Sequence, residues 1–142
     1  VAILSAVETV SPNIPSTLDA AALCKMADRR QITGGLLDGP LAFDNAISAQ
    51  AALIKQITSP VAGQADILAV PDLESGNMLA KQLEYLAGAS GSGIVLGARV
   101  PIALTSRSDG PTARVSSALL AVLAAYDARS VRAPKAAAPI KD

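Results

Sequence analysis

Short, unbroken apolar runs alternate along this chain with longer stretches in which apolar residues recur every three or four positions. The runs fall at residues 2–7, 34–37, 66–70, 93–97 and 101–105. They are continuous, not alternating, which is the pattern of parallel strands covered on both faces. The intervening stretches predict helices. The first, from 16 to about 28, opens on the capping-box-like "STLD" and places Leu18, Ala22 and Met26 on one face. A second, from 44 to about 57, aligns Ile47, Ala51 and Ile54, and a third, from 75 to about 87, aligns Leu79, Leu83 and Leu86. The last, from 111 to 126, has the clearest stripe: Val115, Ala118, Leu119, Val122 and Leu123.

The order is β-α-β-α-β-α-β-β-α, which predicts an α/β class with a three-layer α/β/α arrangement and a mostly parallel sheet. The last two strands lack a helix between them. A parallel pair in one sheet needs a crossover of about a dozen residues, and "ARV" is too short. The fifth strand is therefore expected to leave the first sheet, for another domain. After residue 127 the text "ARSVRAPKAAAPIKD" is rich in Ala, Pro and Lys and reads as a flexible tail.

Composition narrows the picture. Hydrophobic residues make up 51% of the 142 positions and aromatic ones 2%, so the core has to be built from Ala, Val, Leu and Ile. Twelve basic and twelve acidic residues balance, which gives no reason to expect a nucleic-acid or membrane partner. The sequence has no His, so the commonest general base and metal ligand is missing, and no metal-ligand set stands out. One Cys, Cys24, excludes an internal disulfide and fits a reducing, cytoplasmic setting; its place within a helix reads as packing. "VAILSAV" is too short to span a membrane. The chain opens at Val1 inside a strand-like run and without Met, which reads as a piece of a longer protein.

Candidate chemistry collects where strands hand over to helices, since open α/β sheets bind ligands beyond the carboxyl ends of their strands. "LTSRSDGP" is such a joint. Free N–H groups at a helix start favour an anion. Arg107 adds a forked cation, and Thr105, Ser106 and Ser108 add hydroxyls. The plainer alternative has Asp109 capping the helix, Pro111 in its first position and Arg107 on the surface. "PDLESGNMLAKQL" is a second joint, with Ser75, Gly76 and Asn77 at the helix start and Lys81 one turn in. Gly76 would allow a ligand close to the backbone; a capped helix with an exposed Lys is the alternative. In "LLDGPLAFDNA", Asp38 and Asp44 could hold a metal or polar substrate, or be a turn and a cap. The glycines of "GASGSGIVLG" precede a strand, the wrong order for a dinucleotide loop, and read as a helix stop and turn.

Taken together, "DGPLAFDNA", "SPVAGQADILAVPDLESGNMLAKQL" and "LTSRSD" resemble the phosphate acetyltransferase/phosphate butyryltransferase family, over residues 1 to about 125. The likeness is nearest to the phosphotransacylase segment that some bacteria fuse to an enoyl-CoA hydratase-like domain. The resemblance implies acyl transfer between coenzyme A and inorganic phosphate, with both as substrates and no permanently bound cofactor. It implies a homodimer of two-domain subunits, of isocitrate/isopropylmalate-dehydrogenase-like architecture, with the active site in the interdomain cleft. Residues 1–97 would then be most of the second domain, and 98–130 a strand and helix returning to the first, whose N-terminal half lies outside this sequence. Residues 131–142 would be the tail. By the same resemblance Arg107 is a phosphate clamp and Ser106 a hydrogen-bond donor to the reacting centre. Gly76, Asn77, Lys81, Thr105 and Ser108 line the substrates. Acetyltransferases of the family carry a candidate base for the CoA thiol early in the following helix. Here that stretch reads "GPTARV" without an acid, which leaves Asp109 as the nearby carboxylate, a departure resembling the butyryltransferase branch. A non-catalytic role in CoA binding or dimer assembly, and an unrelated nucleotide-binding module, are the competing readings.

Overall fold

The computed structural model describes residues 1–132. These form a mixed α/β structure in two compact units, Val1–Leu79 and Ala80–Asp142, the division falling within one helix. Residues 133–142, and with them nearly all of the expected tail, lie outside the described residues.

The first unit is built on a three-stranded parallel sheet of order β2-β1-β3. Its strands are β1 (Ala2–Leu4), β2 (Asp38–Leu41) and β3 (Leu68–Ala69). Ala2 pairs with Asp38 on one side and with Leu68 on the other, and one extra residue in β2 shifts the register so that Leu4 meets Leu41. Helix α1 (Pro15–Asp28) connects β1 to β2; α2 (Phe43–Ile47) and α3 (Ala49–Ile54) follow β2. The core is Ala2, Leu4, Leu41, Ala46 and Val61, with Ile57, Ala62, Ala65, Leu68 and Leu79 packed against it.

Several expectations are corrected here. The second strand lies four residues later than its apolar run, at Asp38–Leu41, so Asp38-Gly39-Pro40 is strand and not turn. A Pro fits because β2 is an edge strand. Gly39 is required by close approach: a Cβ there would sit 2.7 Å from the Ile3 carbonyl oxygen and 3.3 Å from the Ala20 Cβ. That tight fit also decides which face of α1 packs inward. Thr17 and Ala20 are buried, whereas Leu18 and Met26 of the expected stripe are exposed. Nor does "STLD" form a capping box. The helix begins at Pro15, Ser16 Oγ shares a hydrogen bond with Ser5 Oγ at 2.8 Å, and Thr17 Oγ1 donates to the carbonyls of Ser11 and Ile14. The helix expected over 44–57 is two short ones, broken at Ser48, whose side chain accepts from Ala51 N–H and caps α3.

Helix α4 (Leu73–Leu86) starts two residues before its expected position because Asp72 caps it, accepting from Ser75 N–H at 2.7 Å and Ser75 Oγ at 2.5 Å. It stops at Gly88, which takes φ +69°, as the glycine-rich text predicts.

In the second unit, β4 (Gly93–Val95) and β5 (Ile102–Leu104) pair with each other, antiparallel, in a sheet of their own. The short link between them predicts a departure from the parallel sheet; both strands make it, and both depart from the parallel expectation. Helix α5 (Pro111–Arg132) packs on this pair and runs six residues past its expected end at 126. Ser117, 1% exposed, fastens the helix to the sheet: its hydroxyl donates to Ala113 C=O at 2.8 Å and accepts from Gly93 N–H at 3.0 Å. The expected stripe of α5 is not buried among the described residues; Val115, Leu119, Val122 and Leu123 are all exposed.

Candidate functional site

The joint between β5 and α5 is a closed turn. Asp109 N–H donates to Ser106 C=O at 3.2 Å, and Ser106 N–H donates to the Asp109 carboxylate at 2.7 Å. The Ser106 and Ser108 hydroxyls lie 3.1 Å apart, and Ser108 N–H reaches Ser106 Oγ at 3.4 Å. Asp109 is therefore not the helix cap. It stands one residue too early, since α5 begins at Pro111, and its carboxylate ties the turn together instead. Ser106 and Asp109 are half-buried, Arg107 and Ser108 are exposed. Arg107 forms no ion pair among the described residues.

Beside this turn is a cavity of about 290 Å³ lined by residues of the same unit, among them Glu84, Tyr85, Ser108, Asp109, Thr112 and Ser116. Lys81, from the second half of α4, donates to Glu84 at 2.6 Å and stands 5.9 Å from the centre of the Tyr85 ring. The hydrogen bond to Glu84 holds its ammonium above the usual lysine value against partial desolvation, with added attraction from Glu84 and Asp109. Lys81 thus lies in the electrostatic range of Asp109. The turn gathers Ser106, Ser108 and Asp109 by hydrogen bonds, with Thr105 directly preceding it.

Gly76 and Asn77 belong to the first unit, on the first turns of α4. The space a Cβ at Gly76 would take lies 2.8 Å from Val70 Cγ2, so the glycine lets the helix close onto the end of β3. Asp38 accepts from Gly39 N–H. Asp44 lies in the first turn of α2, where Lys55 joins it at 3.0 Å and Glu8 at 3.3 Å. The Lys55 hydrogen bond, helped by Asn45 N–H, lowers the Asp44 carboxyl below its usual value. Buried Asn45 donates to Glu8 at 3.2 Å. Among the described residues no group of three or more His, Cys, Asp and Glu could hold a metal ion. Burial, then Asp38 and Asp28, raise the Cys24 thiol above its usual value, and its Sγ lies 3.6 Å from Gly39 C=O.

Sequence reasoning did not single out Arg114, whose side chain touches the turn, or Glu84 and Tyr85, which wall the cavity. The signal available for Arg114 was a cation on the first turn of a helix, where the dipole disfavours it.

A polar turn between a strand and a helix start, with an unpaired arginine on it, is an arrangement that α/β enzymes use for anionic substrates. The sequence model of the family described as phosphate acetyl/butaryl transferase matches residues 1–122, and the chain belongs to that family. It is 66% identical over 132 residues to a phosphate acetyltransferase of Rhizobium meliloti, covering 93% of this chain and 42% of that protein. It is 71% identical over 121 residues to a phosphate acetyltransferase of Rickettsia prowazekii (strain Madrid E), covering 85% of this chain and 34% of that protein. Among solved structures it is similar to a branched-chain phosphotransacylase from Enterococcus faecalis V583, with 37% identity and a TM-score of 0.73 over 85% of this chain and 43% of that one. The chain thus spans well under half the length of these relatives. No helix among the described residues is long and apolar enough to cross a membrane.

Proposed function

We propose that this chain is the C-terminal part of a cytoplasmic enzyme that moves an acetyl or butyryl group between coenzyme A and inorganic phosphate. In one direction a phosphate oxygen attacks the thioester carbonyl of acyl-CoA, the carbon–sulfur bond breaks, and acyl phosphate and CoA leave. Membership in the family supports the reaction class. The observation that carries the site is the hydrogen-bonded turn Ser106–Asp109 at the start of α5, with Arg107 beside it and free of ion pairs among the described residues.

In this reading Arg107 clamps phosphate or the phosphoryl end of acyl phosphate through its planar fork. Ser106 donates a hydrogen bond to the reacting centre, and the first N–H groups of α5 balance the oxyanion that develops there. Thr105 and Ser108 complete the polar wall. Asp109 takes the thiol proton of CoA in the reverse direction. Lys81, Gly76 and Asn77 contact the substrates' anionic parts. Fixing phosphate against the thioester supplies much of the rate, and direct transfer needs no covalent enzyme intermediate.

The domain division belongs to the same proposal, with its boundary ahead of β4: because β4 pairs with β5 and both pack with α5, β4 goes with residues 98–130 to the domain whose N-terminal half is elsewhere in the complete enzyme, and two subunits form a homodimer. The exposed apolar stripe of α5 supports it. The test is acyl transfer by the complete enzyme carrying Ser106→Ala or Asp109→Asn. Ser106→Ala should lower kcat on the order of 100-fold with a smaller change in phosphate KM. Asp109→Asn should lower kcat and erase the acidic limb of the pH profile. Wild-type kinetics in Ser106→Ala would reject the site, and an unchanged pH profile in Asp109→Asn would reduce Asp109 to a brace of the turn.

A further inference from the structure

Arg114 lies in the first turn of α5, its own N–H donating to Gly110 C=O at 3.2 Å. Helical side chains lean toward the N-terminus, so a long one here reaches back over the preceding loop. The Arg114 guanidinium does this: Nε donates to Asp109 C=O at 3.1 Å and Nη2 to Ser106 C=O at 3.5 Å, the long limit of a hydrogen bond. Those two carbonyls belong to the residues that close the turn. Ser106 C=O already accepts Asp109 N–H, and the Asp109 carboxylate already accepts Ser106 N–H. Arg114 therefore braces both ends of the turn from the helix. A cation at the start of a helix runs against the dipole, and no carboxylate pairs with Arg114 among the described residues. Backbone oxygens hold it there instead.

We propose that Arg114 is a positioning residue: by spanning the Ser106 and Asp109 carbonyls it fixes the turn that presents Ser106 and Arg107 to the substrates. The inference rests on the reading of that turn as the acyl-transfer site. Two carbonyls held by one planar group call for the arginine fork, which a lysine ammonium lacks.

The experiment compares Arg114→Met and Arg114→Lys with Ser106→Ala in the complete enzyme, reading kcat, phosphate KM and the thermal midpoint. Arg114→Met is expected to fold and to lose roughly 10- to 100-fold in kcat, the cost of a misplaced reacting group. Phosphate KM should move less than about threefold, because Arg114 does not itself bind the anion. Arg114→Lys should recover only a minor part of kcat. A kcat within about twofold of wild type in Arg114→Met, or full recovery in Arg114→Lys, overturns the proposal. So does a raised phosphate KM with unchanged kcat, which would make Arg114 a binding group. If Arg114→Met does not fold, the kcat of Arg114→Lys decides alone. Should Ser106→Ala also match wild type, the reading of the site falls; if Ser106→Ala is impaired and the Arg114 variants are not, only this inference falls.

Discussion

The two units differ in how completely they bury their apolar side chains. Every buried apolar residue among the described ones, from Ala2 to Val61, lies in the first unit. In the second, the buried residue is Ser117, and the apolar face of α5 stands open, with Leu119 59% and Leu123 65% exposed. The first unit has a closed core of small residues, with Ala20 on Gly39 and Ala2, Ala46 and Ala52 in the interior, although Leu53, Ile54 and Leu73 at its surface are exposed. The second is held by hydrogen bonds through Ser117 and by the turn at Ser106. Its open stripe fits the proposal that β4 and residues 98–130 finish a domain seeded elsewhere. The hydrogen-bonded turn of the candidate site thus stands on the unit whose helix leaves its apolar face open.

The largest effect that separates the units should come from Leu119→Ala. In the complete enzyme, with the stripe covered, it should cost about 2–5 kcal/mol; in the 142-residue chain alone it should stay within about 0.5 kcal/mol. Equal small effects in both would break the contrast. Leu41→Ala, at a site 2% exposed, should cost about 2–5 kcal/mol in either form, because that core is already closed. Ser117→Ala removes a hydroxyl serving both Gly93 N–H and Ala113 C=O and should cost about 1–3 kcal/mol by urea unfolding. A neutral result would mean that the strand–helix attachment does not depend on it.

The smallest effect concerns pH. Lys55 holds Asp44 below its usual carboxyl value, so this contribution to stability is present above the unfolded-state value and is lost as pH falls through the lower folded one. The same contact with Asp44, then that with Glu8, raises Lys55, whose contribution is lost only as pH rises through its folded value. Asp44→Asn should flatten the acid side of the stability profile slightly, with solvent screening keeping the change below the others. An unchanged acid slope in Asp44→Asn would remove the pair from the account.

The order of elements and the break before the fifth strand were legible, because run length and the short "ARV" link are local properties. What the pattern missed depended on partners distant in sequence. Leu18, Ala22 and Met26 form a good stripe, yet Gly39 lets the face that carries Ala20 and Cys24 close onto β2 instead. Gly39-Pro40 reads as a turn until β1 is known to lie beside it. On α5 the stripe was read correctly as apolar, and it stands exposed among the described residues. At the candidate site the residue types of the turn were legible from "TSRSD", whereas Asp109 as a tie and not a cap, and Arg114 as a brace, required the path of the loop.

Arg107→Lys in the complete enzyme tests the central claim most directly, by acyl-phosphate formation at varied phosphate. The exposed side chain makes no ion pair among the described residues, so the substitution should leave the thermal midpoint unchanged. Lys keeps the charge and loses the fork, and kcat/KM for phosphate should fall on the order of 100-fold. A variant with wild-type kcat/KM would contradict the assignment of this turn as the anion clamp.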